Sequence, residues 1–398
     1  MTISTAKSEV VVFNGDWKAA SRDVRVYVHG KRLPVSAAFK YLGVWFHCNK
    51  GTTHHVPKAA ARGKLAIAGL SRRLSELDVG SNVYLSLHLY ESLVLPSMLY
   101  GCEAWGQQLL GCADAAVSNL LPEKVHRNFV KFTLKMRGRT KAWIAFREAG
   151  MYPLQHACLN RMLTFLDSVL GMDEGELAKV AMLDCIAQAD AGSRNWFSSV
   201  RALLQHCNGG EQPTHALQAD GSVDVEECMR IWRKHQHAAV WGNLHDNPRT
   251  APSTNVTLCT YHNYFATDLP EGGDAWTCAP CIAADQVPYH QLIKLINLRT
   301  NSHNMNIERL RHTGRRVPRA ARACPWCRTH DDCVQDELHC VLECSHFAQT
   351  RLQYLDLFPG SDWAASDMRR LFVDGGLTRP LASFAHALLK EVDAQQAQ

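Results

Sequence analysis

The chain has 398 residues, 46% of them hydrophobic and 20% charged, an ordinary globular composition that excludes a disordered or collagen-like protein. The net charge of +5 hides a division: residues 1–150 carry 21 Lys and Arg against 10 Asp and Glu, 151–290 carry 8 against 16, 291–351 carry 10 against 6, and 352–398 carry 4 against 6. No run reaches the ~18 apolar residues of a membrane span and the N-terminus lacks a signal-peptide core, so the 15 cysteines are expected to be reduced thiols of an intracellular protein, nuclear or cytoplasmic.

The first fifty residues read as β structure. Glu9–Phe13 is a short apolar strand, Val24–Val28 alternates with period two before a turn at His29-Gly30-Lys31, and Phe39–Phe46 is a third strand with Gly43 as a bulge or close-approach point. The pattern then turns helical. From Pro57 to Leu77, the residues Ile67, Leu70, Leu74 and Leu77 share one face, while Lys58, Arg62, Arg72 and Arg73 form a basic outer stripe. Ser81 is placed to cap a helix through Val83, Leu87, Tyr90 and Val94, which Pro96 breaks or kinks. Residues 114–139 read as a helix interrupted at Pro122, with a basic second half ending at Lys135, Arg137 and Arg139. Helices continue over 153–207, linkers over 208–224 and 242–275, and the end from Leu381 reads as one short helix with a frayed terminus. Trp105, Trp143 and Trp196 read as core anchors rather than base-stacking platforms.

The sharpest local signal lies near the C-terminus. Cys324-x2-Cys327 aims two thiolates at one point, and His339-x4-Cys344 returns an imidazole and a third thiolate. Four such ligands fill a tetrahedral zinc shell with no position for a catalytic water, which makes this a structural site. His330, Cys333, Cys340 and His346 lie close enough in sequence to compete as ligands. A second set, Cys259-x2-His262 with Cys278-x2-Cys281, has the spacing for another zinc. Between them, residues 299–322 hold seven arginines against the single acid Glu308, with Thr300, Asn301, Ser302, His303 and Asn304 as further donors. Such a stretch suits phosphate contacts, with Arg309, Arg311, Arg315, Arg316, Arg319 and Arg322 as the candidates. Two basic segments around an acidic one fit two nucleic-acid-facing surfaces and a spacer.

Four blocks resemble the C-terminal half of non-LTR (LINE-type) retrotransposon reverse transcriptases. Lys7-Ser8-Glu9-Val10-Val11-Val12-Phe13 is similar to the strand near the end of their palm domain, and Phe39-Lys40-Tyr41-Leu42-Gly43-Val44 to the primer-grip strand that follows. Val94-Leu95-Pro96, Leu99-Tyr100-Gly101, Glu103 and Trp105-Gly106 resemble a thumb sequence. Arg322-Ala323-Cys324, Cys327, Asp336-Glu337-Leu338-His339 and Cys344 resemble the family's C-terminal zinc motif. The blocks come in the family's order and cover about 5–170 and 295–352.

The resemblance implies an α+β, predominantly helical fold: a short antiparallel β remnant of a palm (1–50), a thumb-like helical domain (51–150), a helical connector with polar linkers (151–290), a basic segment with the zinc motif (291–352) and a tail (353–398). It implies RNA or DNA as partner, and an upstream polymerase half if the chain is part of a longer protein. The family's aromatic-Ala-Asp-Asp pair would precede Lys7 and does not occur in these residues. Without carboxylates to seat two metal ions, the chain alone is expected not to polymerise, and no catalytic residue is assigned. Asp331-Asp332 reads as turn chemistry. The competing expectation is a domesticated zinc-dependent RNA- or DNA-binding protein with a cellular role.

Overall fold

The computed structural model describes residues 4–111, 117–213, 216, 222–242, 244, 248–249, 256–266, 276–283, 287–312, 317–327, 333–360 and 362–396. Helices dominate, and the strands among the described residues form two small antiparallel sheets. Two compact units assemble from interleaved stretches: 1–73, 89–126 and 153–232 make one, and 74–88, 127–152 and 233–398 make the other. Composition, by contrast, divides the chain into consecutive segments. Among the described residues no helix is long and apolar enough to cross a membrane.

In the first unit, β1 (Tyr27–Val28) pairs with β2 (Lys31–Arg32), and β3 (Ala38–Tyr41) with β4 (Val44–His47). Both hairpins turn on two residues with positive φ, His29-Gly30 and Leu42-Gly43, which is the type I′ pattern that matches strand twist. Gly43 is therefore a turn residue and a close-approach point, where a Cβ would lie 2.7 Å from the Tyr100 ring, and not a bulge; the expected single strand is a hairpin. The expected strand at Glu9–Phe13 reduces to one bridge, Val10 to Val35, because no neighbouring strand extends the ladder.

Helix Val56–Glu76 buries Leu70 and Leu74 and half-buries Ile67, while Leu77 lies beyond its end and is exposed. Pro96 does not break its helix. A π-helical segment, Tyr90–Val94, precedes it, and Pro96 sits in the first turn of Leu95–Met98. Pro122 likewise stands at the start of helix Leu121–Thr133 rather than in mid-helix. Around these elements Val56, Met98, Leu99, Trp105, Leu109 and Leu154 form one apolar core. Two buried polar groups are paired beside it. Glu123 accepts from the Leu154 backbone N–H at 2.8 Å, and the Tyr90 hydroxyl lies 2.9 Å from His126 Nδ1. A satellite core of Leu166, Val169, Met182 and Phe197 joins helices Leu154–Leu170, Leu177–Asp190 and Trp196–Cys207, the last opened by an Asn195–Ser198 capping box.

In the second unit, helix Tyr289–Arg299 packs along Thr378–Gln396, which buries Leu381, Phe384, Leu388, Leu389 and Val392. The expected short frayed helix is thus a 19-residue core element. Part of the expected 242–275 linker is also core: Val256–Thr260 runs into a π segment, Tyr261–Phe265, whose Phe265 ring meets Phe372 at 4.7 Å. Gly150 ends helix Ala142–Ala149 at φ +68, and a Cβ there would lie 2.4 Å from the Cys278 backbone nitrogen. The C-cap and the close approach both require glycine.

Candidate metal centre and its basic surroundings

Residues 322–327 and 333–344 fold around four ligands. Ala323 and Val334 form an antiparallel bridge, with Cys324 N–H donating to Cys333 O at 2.7 Å and Gln335 N–H to Arg322 O at 3.0 Å. This small hairpin presents Cys324 and Cys327. A π-helical segment, His339–Glu343, presents His339 and delivers Cys344 at its end. One ligand atom from each of Cys324, Cys327, His339 and Cys344 lies within 4.8 Å of all the others. The Cys344 sulfur is 3.9 Å from that of Cys324 and 3.6 Å from that of Cys327. A tetrahedron of zinc–sulfur bonds of about 2.3 Å has sulfur–sulfur edges of about 3.8 Å, so the spacing suits a metal and is far from a disulfide. The residues fit such an ion.

The protein charges are arranged to match. Sharing with the Cys344 thiol, together with the His339 ring and the Trp326 and Cys327 N–H groups, draws the Cys324 thiol down to about 4. Burial works against protonation of His339, but the Cys324 thiolate and Glu343 outweigh it and push His339 up to about 10. A metal ion would displace that proton. Glu343 Oε2 stands 3.6 Å from His339 Nδ1, in position to orient the ring. Asp336 Oδ1 accepts from the His339 backbone N–H at 2.9 Å. Arg249 spans both acids, at 3.1 Å from Asp336 and 2.8 Å from Glu343, and Arg319 reaches Asp336 at 3.0 Å and Pro248 O at 2.9 Å. Sequence reading did not single out Arg249, Asp336 or Glu343 for this work. The four-residue step from His339 to Glu343 was the available signal.

Among the competing ligands, Cys333 touches His339, its sulfur 3.3 Å from Nδ1, but stands outside the set of four. Cys340 is fully buried elsewhere, its thiol pushed up by burial. His346 stacks on Trp326 at 4.4 Å and pairs with Glu391 at 2.9 Å. His330, Asp331 and Asp332 lie outside the described residues.

The second expected zinc set does not assemble. Among the described residues only the Cys324 set brings three or more ligands together. Cys259 is buried in helix Val256–Thr260, His262 stacks on Trp241, and the Cys278 thiol donates to Glu148 O at 3.6 Å. Cys281 is buried and its thiol is pushed up to about 12 by burial, which opposes the thiolate a metal needs.

The arginine-rich segment is largely turned inward. Arg299 is buried against Glu148, and Thr300, Asn301, Ser302 and His303 are buried as well. Arg322 donates to Val317 O and Ile307 O, Arg309 to Asn306, and Arg311 to Thr257 and Glu308. Arg309 is nonetheless exposed, and Arg315 and Arg316 lie outside the described residues. On helix Val56–Glu76, Lys58, Arg72 and Arg73 are exposed. Arg62 instead donates to Gly43 O at 3.3 Å and lies over the Tyr100 ring. Trp105 and Trp143 are buried and Trp196 half-buried, as core anchors should be.

Comparison of the chain with protein-family models, with curated proteins and with solved structures gives no match.

Proposed function

We propose that this chain is a zinc-organised nucleic-acid-binding protein of the non-LTR retrotransposon reverse-transcriptase type, corresponding to the end of the palm, the thumb and the C-terminal zinc unit. The observation that carries the reading is the Cys324, Cys327, His339 and Cys344 set at tetrahedral spacing. Three thiolates and an imidazole favour zinc over harder cations, and four protein ligands leave it a structural role. Further support comes from two of the blocks that resemble the family. The Leu42-Gly43 turn and Tyr100-Gly101 lie against each other, with the Tyr100 hydroxyl donating to Leu42 O at 3.0 Å. In this reading the zinc unit and the exposed cations of helix Val56–Glu76 grip phosphates, and the 398 residues alone do not copy a template, for want of a carboxylate pair to hold two metal ions.

Purified protein is tested with single-stranded RNA and DNA across a salt series. Contacts to several phosphates predict an affinity loss of roughly 10³-fold or more between about 50 and 200 mM salt. A flat salt response, or no binding at low salt, overturns the reading. Primer extension with Mg²⁺ or Mn²⁺ is expected to be nil; extension that survives purification would assign this chain an active site.

A further inference from the structure

Helix Leu177–Asp190 is apolar on both its inner and its outer side. Met182 and Ala189 point into the satellite core, with Cys185 and Ile186 beside them. Leu177, Val180 and Leu183 point the other way and are 80, 49 and 46% exposed. A surface helix ordinarily carries polar residues on its outer side, and an apolar outer side marks a surface made to be covered.

One flank of this helix opens on a cavity of about 480 Å³ within the first unit. Phe165, Val169, Ala181, Met182 and Trp196 line it, and Glu103 is its single charged residue. The Phe165 and Trp196 rings stand edge to face at 6.0 Å, and the Trp196 Nε1–H donates to Glu103 O, which fixes the indole. Phe165 is exposed, Ala181 is exposed, and Leu177 stands on the rim one turn before Ala181. A fixed aromatic pair beside an adaptable methionine, on rigid helices, is the kind of apolar floor on which protein partners anchor.

Charge narrows the occupant. Residues 162–194 hold six acids, Asp167, Asp173, Glu174, Glu176, Asp184 and Asp190, against Lys179 and Arg194. Lys179 donates to Met172 O, and Asp190 is paired with Arg201. Asp173, Glu174, Glu176 and Asp184 are exposed and make no ion pair among the described residues. Three of them crowd the start of the helix, and Asp184 lies three residues beyond Ala181 on the same outer side. Like charge disfavours a nucleic-acid strand or an anionic bilayer here and favours a cationic partner. The partner's backbone decides its form. An extended peptide needs a strand edge to bond with, and the described strands of this unit lie in residues 27–47. A helix arrives with its own backbone bonds made and needs only side-chain contact.

We infer that the Phe165–Trp196 cavity and its rim at Leu177 and Ala181 dock a basic amphipathic helix of a partner protein. Aliphatic or aromatic residues on one side of that helix enter the cavity, and lysines or arginines along its flanks meet Asp173, Glu174, Glu176 and Asp184. The inference does not depend on the nucleic-acid reading above; it adds a protein-binding surface whose charge is the opposite of what phosphate contact needs.

The probe is a labelled model peptide of about 18 residues, five turns of helix, with leucines at i, i+3, i+4 and i+7 and lysines elsewhere. One control spreads the same leucines evenly round the helix, and another replaces the lysines by glutamates. Each is titrated into wild-type protein, Leu177→Gln/Ala181→Gln, Leu183→Gln and Asp173→Asn/Glu174→Gln/Glu176→Gln. All these positions are exposed and glutamine keeps a helix, so circular dichroism and zinc content should match wild type. The amphipathic peptide is expected to bind wild type at least about tenfold tighter than either control, and Leu177→Gln/Ala181→Gln to lose at least about tenfold. The acid-neutralised variant should lose affinity and most of the salt dependence. Leu183→Gln alters the far side of the same helix and should bind as wild type. Equal binding of the evenly spread control, unchanged binding by Leu177→Gln/Ala181→Gln, or an equal loss in Leu183→Gln overturns the assignment. Sedimentation and vesicle binding provide the remaining outcomes. A wild-type dimer that Leu177→Gln/Ala181→Gln lacks would give the face to a second copy of the chain, and phosphatidylcholine binding lost in that variant would give it to a lipid surface; either result overturns the helix.

Discussion

Arg299 grips Glu148 through its Nε and Nη2, at 3.0 and 2.8 Å, in a site closed to solvent. The Tyr261 hydroxyl adds a 2.7 Å bond to the same carboxylate, and Arg299 Nη1 reaches Phe372 O at 3.0 Å. One ion pair thus links helix Ala142–Ala149, the Tyr261–Phe265 segment, helix Tyr289–Arg299 and helix Ala365–Val373. Arg299→Met should destabilise the protein by about 3–5 kcal/mol, because it strands a buried carboxylate. Adding Glu148→Gln should restore part of that loss, since the remaining group is then neutral. Urea unfolding of both single variants and the double variant measures the coupling; additive effects would mean that the pair does not act as a unit.

The metal centre gives a second prediction. Purified protein should carry one zinc per chain, Cys327→Ser should lose it, and Cys333→Ser should keep it, although the Cys333 sulfur is as close as 3.3 Å to His339. Structural zinc contributes on the order of 10–16 kcal/mol to folding of small units, so chelation should also expose residues 322–327 and 333–344 to hydrogen exchange and proteolysis. Metal analysis with exchange mass spectrometry reads both effects.

Two glycines separate conformational strain from collision. Gly192 has φ +89 with open space around its Cα, and Gly150 has φ +68 with the Cys278 backbone in the way. Gly192→Ala should cost about 1–2 kcal/mol, the left-handed penalty alone. Gly150→Ala should cost more, on the order of 3 kcal/mol or above, because backbone has to move. Denaturant midpoints of the two variants make the comparison.

His55 predicts a pH dependence. It is buried against Trp105, its Nδ1 accepts from the Trp45 N–H at 3.2 Å, and its Nε2 has no partner. Burial, with Arg62 next, pushes its pKa down from 6.5 to about 4. Between those values the unfolded chain takes a proton that the folded protein refuses, so this group's contribution to stability is complete above about pH 6.5 and is lost as pH falls to about 4. His55→Gln keeps an acceptor for Trp45 without titrating, and its stability should fall less steeply across that window than that of wild type. Parallel slopes would place the proton uptake elsewhere.

The sequence by itself determined what is local. The ligands Cys324, Cys327, His339 and Cys344 lie within one short stretch, and the turn chemistry and helical step that gather them act over a few residues. The largely helical character follows from periodicity for the same reason. What only the tertiary structure decided is which charges face water. Arg299 and Arg309 sit in one basic run, yet the first is sealed against a carboxylate 151 residues away while the second stays exposed. A run of arginines has the same letters whether it meets solvent or acids from distant elements, because an ion pair across the chain leaves no period in the sequence. The 242–275 stretch misleads similarly: its polar punctuation hides Tyr261 and Phe265, which become core only once the Ala365–Val373 helix covers them.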